Sequence, residues 1–146
     1  MQKGIYSLIL ILENDQYIEI GKLGNFLFKK GYYVYNGSAL GGFGRVRYHL
    51  NKNKLKRWHI DYLLDKAKII KIITCEINKN LEHDVSKGMS DKKDAEILVP
   101  GFGSSDCSKG CASHLIYFKE MQQIDEIYEK LGLNFFIFEE ADFKNI

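Results

Sequence analysis

Acidic residues are missing from one long stretch of this chain: between Ile20 and Ile60 there is no Asp or Glu. The same window holds nine basic side chains: Lys22, Lys29, Lys30, Arg45, Arg47, Lys52, Lys54, Lys56 and Arg57. The sign reverses at the other end, where Lys119 to Ile146 carries seven acids against three lysines. The net charge of +2 therefore hides a strong asymmetry, which predicts an electropositive face suited to a polyanion. Proline is nearly absent, with one residue, which argues against long disordered linkers. Cysteine is scarce and odd in number, at three, which fits a reducing, cytoplasmic compartment better than a disulfide framework. Long apolar runs are lacking too. Residues 5–12 are too few to span a bilayer, and Glu13-Asn14-Asp15 follows them instead of a cleavage site, so a buried strand explains them better than a leader.

What remains is an ordinary globular composition rich in aromatics, with nine Tyr and nine Phe in 146 residues. That length favours one domain, residues 1–146, with a core that needs no staples. Strand-like sequence covers 4–12, 17–20, 26–29 and 32–35, with turns at Asn14-Asp15 and at Gly21, Gly24 and Gly31. Gly41-Gly42-Phe43-Gly44 reads as a loop that opens a helix near Arg45. Further helices are expected at 58–64, 81–89 and 121–131, further strands at 68–77, 114–118 and 135–138, and a Gly/Ser loop at 99–112. Hairpins followed by mixed elements predict an α+β fold, a mainly antiparallel central sheet with flanking helices.

Gly4-Ile5-Tyr6 near the start is answered by Tyr35-Asn36-Gly37-Ser38. The spacing R-x3-H follows at Arg45 and His49, then Trp58-His59-Ile60-Asp61-Tyr62-Leu63 and Pro100-Gly101-Phe102-Gly103-Ser104-Ser105-Asp106-Cys107, running on to Ser113-His114-Leu115. In this order the blocks resemble the GIY-YIG nuclease superfamily, and in particular a small branch found alone or fused to endonuclease III-like DNA repair proteins. The resemblance covers Gly4 to Phe118. It implies a GIY-YIG-like domain that hydrolyses phosphodiesters in DNA with a divalent metal, Mg²⁺ or Mn²⁺. Two features depart from the pattern. Asn36 stands where the superfamily's name has isoleucine, and 28 residues separate Tyr6 from Tyr35, which predicts an extra hairpin between the motifs.

Phosphodiester hydrolysis needs an activated water, a cation against the developing charge and a held phosphate. The resemblance implies that a glutamate on a helix after the sheet holds the metal. By position that is Glu82, with Asp84 and Glu76 as fallbacks; one carboxylate plus water and phosphate oxygens suits Mg²⁺. Arg45 would grip the phosphate through parallel hydrogen bonds. Tyr6 and Tyr35 resemble the superfamily's tyrosine pair, one to take a proton from water and one to orient it. His49, better tuned to neutral pH, is the rival base. Gly37 and Ser38 would let backbone come close to the phosphate, and Arg47, Lys54, Lys56 and Arg57 would contact the DNA backbone.

Two groups of residues leave alternatives open. His59 and Asp61 either line the cleft or form a buried polar pair that positions the basic helix, the reading preferred here. Cys107, Cys111 and His114 form a C-x3-C-x2-H set that needs Asp106 or His83 to complete a zinc site; the cysteine loop is expected to be reduced and metal-free. The expected function is a metal-dependent DNA endonuclease, with DNA repair as the expected setting and branched or damaged DNA among the candidate substrates. The alternatives are a catalytically inactive nucleic-acid-binding module and a partner of a base-excision repair enzyme. No membrane association is expected.

Overall fold

The computed structural model describes residues 3–39, 42–51, 55–56, 58–79, 81–103 and 113–144, the backbone alone for 143 and 144. The apolar run at the start forms strand β1 (Gly4–Leu12), which is buried almost throughout because it is central in the sheet. Strand β4 (Gly31–Ala39) lies antiparallel on one side of β1, and β5 (Lys68–Glu76) lies antiparallel on the other. Strands β6 (Leu115–Phe118) and β7 (Phe136–Phe138) complete an antiparallel sheet of order β6-β4-β1-β5-β7. The fold is α+β, as the sequence predicts.

The long interval between the two tyrosine motifs holds a separate hairpin, β2 (Gln16–Ile20) paired with β3 (Gly24–Phe28) across a 3-10 turn at Gly21–Leu23. It packs on the sheet through Ile18, Ile20 and Phe28, all buried. The helices are α1 (Gly44–Leu50), α2 (His59–Leu64), α3 (Glu82–Ser90), α4 (Asp125–Lys130) and α5 (Glu140–Lys144). The helix expected from Met121 begins only at Asp125, where two acids occupy the first turn, as the helix dipole favours. The terminal turn α5 has no counterpart among the predicted elements.

Alternation along β1 and β4 sorts side chains to two faces. On one face Tyr6, Leu8, Leu10, Tyr33 and Tyr35 pack with α1, α2, the hairpin and Phe102. On the other Ile5, Ile9, Val34, Ile73 and Cys75 pack under α3 and α4. Cys75 is a free, buried thiol. Among the described residues no helix is long and apolar enough to cross a membrane.

Candidate active site at one end of the central sheet

The register of β1 on β4 places Tyr6 directly opposite Gly37. A Cβ at Gly37 would fall 2.4 Å from the Tyr6 hydroxyl, so the glycine of the second motif clears space for the tyrosine of the first. Gly37 is buried, and what comes close to it is a side chain of the same protein. Gly103 plays a similar part for Tyr35. Its φ of +68° and a Cβ that would lie 2.9 Å from the Tyr35 ring both favour glycine.

Helix α1 crosses this face. Its i, i+4 spacing presents Arg45 and His49 together. His49 Nε2 lies 2.8 Å from the Tyr6 hydroxyl. The Tyr6 and Tyr35 rings are 6.4 Å apart, and the His49 ring is 5.7 Å from Tyr6 and 6.2 Å from Tyr35. Arg45 is exposed, stacks 4.8 Å above the Trp58 ring and donates to the Ser38 carbonyl at 2.8 Å. Arg45 also pulls the Tyr6 phenol's pKa down. Burial wins, however: Tyr6 is 1 % and Tyr35 7 % exposed, and desolvation holds both pKa values well above the usual 10.

Glu82 approaches from the start of α3. Its negative charge raises the pKa of both Tyr6 and Tyr35. The Glu82 carboxylate is 21 % exposed and lies 3.9 Å from His114 Nδ1. Desolvation, and then the charge of His83, lower the His114 pKa, which disfavours a charged imidazole beside Glu82. A partly exposed, hard oxygen donor beside two phenols fits Mg²⁺ or Mn²⁺ completed by water and phosphate oxygens. Among the described residues no group of three His, Cys, Asp or Glu converges as a ready-made metal cage.

The preferred structural reading of His59 and Asp61 needs correcting in its partners. Asp61 lies beside His49 rather than His59, with Oδ1 3.5 Å from Nδ1 and both side chains fully buried. Its other oxygen accepts the Trp58 backbone N–H at 2.9 Å, at the start of α2. His59 instead accepts the Gly103 N–H at 2.9 Å and meets Phe102 edge-on, holding the glycine loop against the site.

Among the described residues, the basic side chains of the electropositive window do not share one surface. Lys29 and Lys30 sit beyond the Gly31 end of β4, about 26 Å along the strand from Ala39 at 3.3 Å per residue. There Lys29 pairs with Glu96, and the Lys30 backbone binds the Asp15 carboxylate. Lys56, expected on DNA, is held by Asp65 at 2.6 Å and lies over Tyr62. Arg47 is exposed on α1. Lys54, Arg57, Cys107 and Cys111 lie outside the described residues.

Asn36, the departure in the second motif, points away from the site. It accepts from Ser7 at 2.6 Å and donates to Ser86 at 3.1 Å on the α3 face. The sequence paired Asp61 with His59; its place on a short helix carries no signal of a histidine partner on another helix.

Residues 5–135 match the family model described as "Domain of unknown function DUF123". No curated protein and no solved structure matches the chain.

Proposed function

We propose that this chain, which belongs to the DUF123 family, is a metal-dependent endonuclease that hydrolyses phosphodiester bonds in DNA. One observation carries the reading: Tyr6, Tyr35, Arg45, His49 and Glu82, scattered over most of the chain, act on one another at one end of the sheet. The motif resemblance to GIY-YIG nucleases supports it independently. A cytoplasmic location, a place in DNA repair and association with base-excision repair proteins belong to the same reading.

Each residue then has a task. Arg45, exposed and always charged, meets the phosphate and offsets charge on its oxygens. Glu82 would hold Mg²⁺ or Mn²⁺, which supplies a Lewis acid for the phosphate and a more acidic water. Tyr6 cannot serve as a standing phenolate, since burial opposes its ionisation. It can pass a proton on, because His49 Nε2 is within hydrogen-bond reach. Tyr35, its ring 6.4 Å from that of Tyr6, orients water or phosphate.

The test is a panel of branched, flapped, abasic and single-stranded DNAs incubated with purified protein, with and without Mn²⁺. Metal-dependent cutting of at least one substrate is expected. A second reading, binding without cleavage, is favoured by the near-complete burial of Tyr6. Binding with no cutting of any DNA under any divalent metal would establish it instead.

A further inference from the structure

We propose that Asp61 is a positioning residue of this site: it sets the tautomer of His49 so that Nε2 can take the Tyr6 proton. The inference rests on the nuclease reading above for its chemical use, but its geometry stands apart from it. Two arrangements are compatible with a 2.8 Å separation of Tyr6 Oη and His49 Nε2. Either the phenol donates to a bare Nε2, or an Nε2–H donates to the phenol. Only the first lets the imidazole accept a proton.

What faces Nδ1 decides between them. Asp61 Oδ1 lies 3.5 Å from Nδ1, inside the protein, and an ionised carboxylate can only accept. Nδ1 therefore carries the hydrogen and Nε2 is bare. The carboxylate is itself fixed, since its Oδ2 is tied to the Trp58 N–H. The separation is loose for a hydrogen bond, as catalytic contacts often are before substrate binds. When the proton arrives, the fixed negative charge stabilises the imidazolium.

The step balances as follows. The water oxygen forms the new P–O bond and gives one proton to Tyr6 Oη, while the Tyr6 proton moves to His49 Nε2. The bond to the leaving oxygen breaks with its electron pair on that oxygen, which is then protonated by solvent or by the imidazolium. Other titratable groups face His49 and share in its titration. Tyr6, Tyr35 and Asp61 do so from β1, β4 and α2, and Tyr48 from α1 itself. Asp65, Lys66, Lys68 and Glu140 line the cavity that His49 also borders.

Asp61→Asn separates this role from helix capping. The amide oxygen can still accept from Trp58, but the amide nitrogen now donates toward Nδ1 and turns the imidazole over to Nε2–H. Long-range ¹H–¹⁵N NMR of histidine-labelled protein reads the tautomer, with His49→Gln giving the assignment. We expect Nδ1–H in the native protein and Nε2–H in Asp61→Asn. In parallel, single-turnover cleavage of a DNA that the native protein cuts should fall by roughly 10²–10⁴ in Asp61→Asn, with an altered acid limb of the pH profile. An Nε2–H tautomer in the native protein overturns the proposal, and needs no variant to fold. So does native rate and pH dependence in a folded Asp61→Asn. If the native protein cuts no DNA, the nuclease reading and the catalytic use of Asp61 fall together, and the NMR result still decides the arrangement.

Discussion

The two faces of the central sheet each bury a polar cluster, and the clusters are built to opposite specifications. On the α1 face, Tyr6, His49 and Asp61 form a chain of ionisable groups next to the exposed Arg45 and the partly exposed Glu82. On the α3 face, Ser7, Asn36, Ser86 and Tyr128 form a neutral network, with Ser7 Oγ 2.6 Å from both Asn36 Oδ1 and the Tyr128 hydroxyl. The members alternate in sequence: Tyr6 beside Ser7, Tyr35 beside Asn36. A strand sends neighbours to opposite sides, so one motif serves both clusters. The difference teaches what each is for. A sealed neutral network holds β1, β4, α3 and α4 together. A cluster of groups that can exchange protons, with charges at its surface, is suited to chemistry.

The sharpest way to break this contrast is to remove a charge at the surface of the α1-face cluster. Glu82→Ala and Arg45→Ala are each expected to lower single-turnover cleavage by about 10²–10³ or more, the loss typical of one charge-stabilising group. DNA affinity and melting temperature should stay near native. Cutting at the native rate by a folded Glu82→Ala would move the metal to Asp84 or Glu76.

Gly37→Ala attacks the contact between motifs. The new Cβ must displace the Tyr6 ring from His49. Overpacking of this kind costs about 1–3 kcal/mol, and cleavage should drop with stability. A crystal structure of the variant with Tyr6 unmoved would contradict that account.

Asn36→Ala tests the other face. It removes the donor to Ser86 and leaves Ser7 with Tyr128 alone, so denaturant unfolding should show a loss of about 1–3 kcal/mol. Cleavage per folded molecule should not change. A slower variant of native stability would join the two clusters functionally and undo the comparison.

Acid and alkali should act on the faces differently. Burial lowers the pKa of His114 and His59, both beside the α1-face site. The unfolded chain then binds protons the folded one refuses, so stability is full above pH ~6.5 and falls as pH drops through the lowered folded values. Thermal melts from pH 7.5 to 5 check this, and His114→Gln should flatten the decline. At alkaline pH both faces suffer, because burial raises Tyr6, Tyr35 and Tyr128. Their stabilisation is full below pH ~10 and is lost as pH rises through the folded values. Absorbance near 295 nm should show these phenols ionising only as the protein unfolds.

The smallest effect is expected at Lys56. Because Asp65 already pairs it, Lys56→Ala should change the slope of log affinity against log salt by less than one unit. A change of a full unit would show that the pair opens on DNA.

Much of this was legible in the chain before any fold was seen. Apolar and aromatic runs bounded by turn residues located the strands of the central sheet, and the 28-residue interval announced the hairpin between the motifs. The R-x3-H spacing brought Arg45 and His49 to one side of a helix. Those signals are local, and backbone geometry translates them directly into structure. What lay beyond reach depended on packing between elements. Nothing in a row of residues says that Gly37 sits under Tyr6, that Asp61 on α2 meets His49 on α1, or that Asp65 takes Lys56 out of the basic window. Nor does it say that Lys29 and Lys30 end far from Arg45, or that Asn36 turns its back on the site. Sequence alone determined which residue types were present and which face of a strand or helix each would take. The tertiary structure alone decided who meets whom, because burial and charge pairing depend on distances across elements that no spacing along the chain encodes.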